Sequence, residues 1–186
     1  MMGEESAEKS DSPTIMTLVI TGPVGVGKTS VSISIASILS HRGVPHALVD
    51  MDWLRECSPA PEGDPFQMAL GLRNLAAIWA NFREAGATCL ILADVVETRE
   101  QRHDYEAAVP GAAVRIVRLK ASVPTIHRRL EGRESGDSLA WHKHRAIELA
   151  GQMDRDAIED LLVDTEGKTV DQISAEVLER AGWPAG

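Results

Sequence analysis

The stretch IMTLVITGPVGVGKTSVSISIASILSH, residues Ile15 to His41, decides the fold. Ile15 to Thr21 is a short apolar, β-branched run that stops at a glycine, which predicts a buried strand. Lys28 to His41 carries Val31, Ile35, Ile38 and Leu39 at helical spacing, and Arg42-Gly43 closes it. Between strand and helix, Gly22-Pro23-Val24-Gly25-Val26-Gly27-Lys28-Thr29 fits G-x-x-x-x-G-K-[ST] in full. Each piece has a physical purpose. The glycines let the backbone curl until successive N–H groups point inward and form an anion nest. The helix that starts near Lys28 adds its positive end. Lys28 is placed to reach β- and γ-phosphates, and the Thr29 hydroxyl to ligate Mg²⁺. Gly22, Val24, Gly25, Val26, Gly27, Lys28, Thr29 and Ser30 are the nucleotide-binding candidates. The bland alternative is a glycine-rich turn without a ligand.

Outward from this loop, apolar runs alternate with helical patterns. Pro45–Asp50, Thr88–Ala93, Ala113–Leu119 and Asp160–Asp164 read as four further strands. Phe66–Ala85, Glu97–Ala108, Pro124–Arg133, Ser138–Ala157 and Thr169–Ala181 read as helices. Each strand is a continuous apolar run, as expected of a parallel sheet covered on both faces. Residues 15–186 therefore read as one α/β domain. Met1 to Thr14 is polar and acidic and reads as a disordered leader.

Composition bounds the partners. The chain has 186 residues and a formal net charge of -9, from 19 basic and 28 acidic side chains. That balance disfavours nucleic acid and anionic membranes, because phosphate attraction needs a basic surface. It leaves room for a small anion in a local basic pocket. No apolar run approaches the ~20 residues of a membrane span. Cys57 and Cys89 stand far apart, outside metal-ligand spacing, and read as free thiols in a reducing cytoplasm. A monomer or a homodimer is expected.

Three segments carry further chemistry. In Val49-Asp50-Met51-Asp52-Trp53-Leu54-Arg55, two aspartates stand two apart at a strand's end. On a strand that continues they project to one side, facing the ligand crevice at the carboxyl ends of a parallel sheet. Asp52 is then the candidate to accept or orient an acceptor hydroxyl, and Asp50 to hold a water on Mg²⁺. The alternative is that one of the pair caps the following helix. Asp94 ends the run TCLILA, the place of an aspartate near Mg²⁺. Its alternative is a capping box with Glu97. Arg99 and Arg102 follow, with a substrate-anion contact and a solvated face equally open. The third segment, His127 to Asp137, is arginine-dense and broken by glycine. Arg129 and Arg133 are four apart and share a face on a helix.

The absence of N-K-x-D argues against a GTPase. With the glycine loop, the paired aspartates and the arginine cluster, the chain resembles the small-molecule kinases of the nucleoside-monophosphate-kinase-like P-loop group. Adenylylsulfate kinase, shikimate kinase, gluconate kinase and chloramphenicol phosphotransferase belong to that group. VDMDWLR is similar to the L-D-G-D-N-x-R of adenylylsulfate kinases and the D-x-D of shikimate kinases. The resemblance implies a five-stranded sheet in the order 2-3-1-4-5 and transfer of the ATP γ-phosphate to a small molecule. The similarity of that segment implies roles for Asp50, Asp52 and Arg55 only; together with the residues read above, acceptor contacts are expected at Asp52, Trp53 and Arg55, and metal contacts at Thr29, Asp50 and Asp94. The resemblance also implies a lid over about 128–145 whose Arg129 and Arg133 act in catalysis with Lys28 and Asp52, and an adenine-packing loop at Asp164–Lys168. The chain departs from adenylylsulfate kinases at Met51-Asp52-Trp53 and in lacking F-I-S-P. It departs from shikimate kinases at Leu92-Ala93-Asp94-Val95, where those carry a glycine triplet. Neither substrate is supported. An ATPase or switch acting through a protein partner is the second reading, and a nucleic-acid end kinase a third that the acidic charge disfavours. The tryptophans at 53, 79, 141 and 183 read as core, with Trp53 the exception. His142 reads as a partly exposed structural histidine.

Overall fold

The computed structural model describes residues 14–183. The leader expected at the start lies outside the described residues, apart from Thr14. Strand β1 (Ile15–Thr21) is the axis of the molecule. It pairs in parallel with β3 (Cys89–Ala93) on one side, Leu18 opposite Ile91. On the other it pairs with β4 (Ala112–Lys120), Leu18 opposite Arg115 and Thr21 opposite Arg118. Strands β2 (His46–Asp50) and β5 (Leu161–Asp164) form the edges, so the order is β2-β3-β1-β4-β5, as expected.

The apolar runs fill both faces of the sheet. Leu18, Ile20, Ile91 and Leu119 pack under α1 (Lys28–His41), α5 (Val123–Glu131) and α7 (Val170–Arg180). Val19, Leu90, Leu92 and Ile116 pack under α3 (Met68–Glu84) and α4 (Gln101–Ala108). Side chains alternate between the faces along each strand, so an apolar run with no polar gaps serves two helical layers. The remaining helices, α2 (Met51–Arg55) and α6 (Gly136–Asp156), flank the carboxyl edge of the sheet. Among the described residues no helix is long and apolar enough to cross a membrane.

The second strand ends where expected and two helix boundaries differ from expectation, each for a local reason. The second strand stops at Asp50 and turns at once into α2, because the Asp50 carboxylate accepts the Asp52 N–H (3.1 Å) and caps the new helix. Helix α4 starts at Gln101, not at Glu97. The Gln101 Oε1 accepts the N–H groups of Glu97 (2.6 Å) and Thr98 (3.0 Å) and holds those residues in a turn. The capping box offered as the alternative reading of Asp94 and Glu97 is therefore absent. Helix α5 ends at Glu131, so Arg129 and Arg133 do not share one helical face.

Arg99 and Arg102 serve the scaffold. Arg99 donates to the Ala157 carbonyl (2.7 Å), and Arg102 to both Asp160 oxygens (2.8 Å each). Asp160 in turn accepts the Ile116 N–H (2.7 Å), which pins the approach to β5. Cys57 is exposed and Cys89 buried, and both are free thiols. Leu18 is fully buried at the centre of the sheet. Leu18→Ala should therefore cost about 2–5 kcal/mol in unfolding free energy, measured by urea titration, through lost burial and a cavity that strands on both sides prevent from closing.

Candidate functional site

The site is built around the turn from β1 into α1. Gly22, Gly25 and Gly27 all hold left-handed φ values of 141°, 81° and 109°. At Gly22 a Cβ would stand 2.6 Å from the Leu119 carbonyl oxygen, and at Gly25 2.8 Å from Leu130 Cγ. The loop is thus pressed against β4 and α5, and its free side faces a cavity of about 690 Å³. Val26 N–H closes the loop on Pro23 O (3.2 Å), and Val31 N–H begins the helix on Gly27 O (3.0 Å). The first N–H groups of a helix have no intrahelical partner and present partial positive charge. The Lys28 ammonium donates to the Gly22 carbonyl (3.2 Å). Burial pushes its pKa below the ordinary lysine value, against the raising pull of Asp52, Asp94 and Asp50. Left-handed glycines, a helix start and a half-buried cation together fit a polyphosphate.

Thr29 and Asp50 meet here. The Thr29 hydroxyl donates to Asp50 Oδ2 at 2.8 Å, while Oδ1 caps α2. Asp50 therefore caps α2, as the sequence offered for one of the pair, and still has its second oxygen for the Thr29 hydroxyl. Among the described residues no group of three His, Cys, Asp or Glu side chains is arranged to hold a metal. Thr29 with Asp50 fits a hard divalent ion that takes its remaining oxygens from phosphate and water.

Arg55 is the hub of the opposite wall. Its guanidinium donates to Asp52 Oδ1 (2.7 Å) and to Asp94 Oδ1. Asp94 is buried, 1% exposed, and its oxygens are further held by Val95 N–H (2.7 Å) and the Tyr105 hydroxyl (2.7 Å). Burial raises its pKa above the ordinary aspartate value, with Arg55 and then Tyr105 opposing. Burial, then Asp94, pushes the Tyr105 phenol well above its ordinary value, so the hydroxyl stays a donor. Asp50, Asp52 and Arg55 line the cavity, whereas Asp94 stands behind Arg55.

The arginines of the 127–137 segment divide. Arg129 donates to the Val26 carbonyl (2.7 Å) and thus grips the glycine loop itself. Arg133 lines the cavity from the turn beyond α5 and donates to Glu134 (3.0 Å). Glu134 also accepts from Ser138 (3.0 Å) and contacts His142. The loop after β5 is tied to the start of α5, where Thr125 Oγ1 (2.6 Å) and Ser122 N–H (3.0 Å) donate to Glu166.

Trp79 and Trp183 are core. Trp53 is 79% exposed and stands outside the cavity wall, while Trp141, read as core, is 59% exposed and lines it. Sequence reasoning also missed Glu56, Gln67 and Tyr105. A lone glutamate, glutamine or tyrosine has no spacing signature, and the fold alone brings them here.

No family model and no curated protein matches this chain. Solved structures do match its fold, and a gluconokinase, an APS kinase and shikimate kinases are among them. The tunicamycin resistance protein of Deinococcus radiodurans aligns over 91% of this chain and 97% of its own, at 19% identity and a TM-score of 0.64. A gluconokinase from Sinorhizobium meliloti 1021 aligns over 92% and 94%, at 20% identity and 0.60. The APS kinase of Mycobacterium tuberculosis, solved with AMPPNP and APS, aligns over 90% and 98%, at 21% identity and 0.60. This chain shares their fold, a five-stranded parallel sheet in the order 2-3-1-4-5.

The Tyr105 proton gives a pH signature. A phenol with a raised folded pKa contributes stability that is fully present below the unfolded value of 10.0 and lost as pH rises above it. Unfolding free energy measured from pH 8 to 11 should decline above about pH 10 in the wild type, with a shallower decline in Tyr105→Phe. That variant should also lose about 1–3 kcal/mol near pH 8, because Asp94 loses a buried donor.

Proposed function

We propose that this chain is a cytoplasmic phosphotransferase that moves the γ-phosphoryl group of ATP, with Mg²⁺, to a hydroxyl or phosphate oxygen of a small molecule. One observation carries the reading. A single cavity is lined by the glycine loop, Lys28 and Thr29, and also by Asp50, Asp52, Arg55, Arg129 and Arg133. The fold shared with kinases supports it.

In this reading the N–H groups from Val24 to Ser30 bind the phosphates, and Lys28 neutralises the β- and γ-oxygens. Thr29 and Asp50 hold the metal, which supplies charge neutralisation at the transferring group. Asp94 lends negative charge from behind and fixes Arg55, and Arg55 fixes Asp52. Asp52 receives the hydrogen bond and the proton of the acceptor hydroxyl. Residues from about 128 to 145 act as the lid, with Arg129 and Arg133 stabilising charge in the transition state and closure excluding water. The alternative, an ATPase or switch acting through a protein partner, predicts a flat surface beside Asp52, and the cavity wall there argues against it.

Purified protein with ATP, Mg²⁺ and a broad metabolite panel should phosphorylate at least one acceptor, detected by product mass. Asp52→Asn should lower the transfer rate about 10²–10⁴-fold while nucleotide affinity changes less than about threefold. Lys28→Ala should reduce both. Nucleotide binding with no transfer to any acceptor would sink the proposal.

A further inference from the structure

The acceptor wall differs in charge from the phosphate wall. Met51 to Gln67, which links β2 to α3, contains one basic residue, Arg55, against four acids, Asp52, Glu56, Glu62 and Asp64. Arg55, Asp52 and Glu56 line the cavity. Arg55 is committed, because Asp52 and the buried Asp94 already share its guanidinium. Releasing it toward an incoming anion leaves Asp94 a buried charge without its counter-ion, which is strongly unfavourable. The remaining cations of the cavity are already partnered: Lys28 on Gly22 O, Arg129 on Val26 O, and Lys168, beyond β5, on Glu176. Arg133 follows α5 and is held by Glu134.

Gln67 adds a directional clue. It holds a left-handed φ of 55° at the start of α3 and lines the cavity. Its side chain is spared from capping that helix, because Asp64 Oδ2 accepts the Leu70 N–H (3.0 Å) instead. Its Oε1 is buried without a hydrogen-bond partner. A buried oxygen in that condition is satisfied by a ligand that brings a donor. With Asp52 and Glu56 nearby, this wall presents acceptors and net negative charge.

Resting on the phosphotransferase reading, we infer that the acceptor is a neutral or amine-bearing molecule with several O–H or N–H donors, and not a carboxylate, sulfate or phosphate ester. Like charges brought together at this wall penalise the anion, while donors gain Asp52, Gln67 and Glu56.

Matched pairs test this with the full chain, ATP and Mg²⁺. Sorbitol is set against gluconate, nucleosides against their monophosphates, and amino alcohols against the corresponding hydroxy acids. Binding of a fluorescent ATP analogue is measured in parallel. In the pairs that react, the neutral or amine member should lead by about tenfold or more in kcat/KM. Glu56→Lys should narrow that ratio by about threefold or more. Gln67→Leu should raise KM for the preferred acceptor about tenfold and leave KM for ATP within about twofold. Equal or better transfer to the anionic members, or a ratio unmoved by Glu56→Lys, overturns the inference and leaves the phosphotransferase reading standing. Failure to bind the ATP analogue, or hydrolysis with no transfer to any member, overturns that reading and the inference together.

Discussion

The constraint on which the rest depends is the close approach of the Gly22 backbone to the Leu119 carbonyl. A Cβ at that position would sit 2.6 Å from the oxygen, at a φ of 141° that side chains rarely adopt. Only a glycine lets β1 leave the sheet that close to β4 and still turn into α1. Everything in the candidate site is registered to that turn. Lys28 and Thr29 fall on the first residues of α1 because the loop has that length. Asp50 reaches Thr29 because β2 ends level with it, Asp50 opposite Ala93 and Ala93 opposite Ile20.

A second layer of order comes from charges satisfied in series. Tyr105 and Val95 hold Asp94, Asp94 holds Arg55, and Arg55 holds Asp52 at the cavity wall. Such a chain is costly to bury unless each member finds its partner. When all do, the last member is left in one position. The exposed end of this chain, Asp52, is the one placed to meet a ligand. Its buried end is fixed by a phenol on α4, a helix with no part in the glycine loop. The site is therefore shared between both helical layers of the sheet, and packing beneath α3 and α4 bears on where Asp52 points.

The parts of the site that were legible in the sequence are those set by chain geometry alone. The glycine loop requires its residues at fixed spacing, and the strand–loop–helix context is local. The continuous apolar strands announce a sheet covered on both faces. Asp50 and Asp52 were legible as a pair, but not in their division of labour, because nothing in V-D-M-D-W says that a helix begins directly after the first aspartate. Arg129 and Arg133 were legible as an arginine cluster. Their separation onto a helix and a turn depends on where α5 ends, two residues before Arg133.

By itself, then, the sequence determined the class of ligand site: a phosphate loop at the carboxyl edge of a parallel sheet, with acidic residues at the next strand's end. Local backbone geometry is enough for that, since each element is written in contiguous residues. Only the tertiary structure decided which carboxylates face the cavity and which lie behind it, that Arg55 is already spoken for, and that Gln67 and Trp141 reach the wall. Those facts come from residues far apart in the chain, such as Arg55 and Asp94, 39 positions apart, and side-chain partners at that distance leave no periodic trace along the chain.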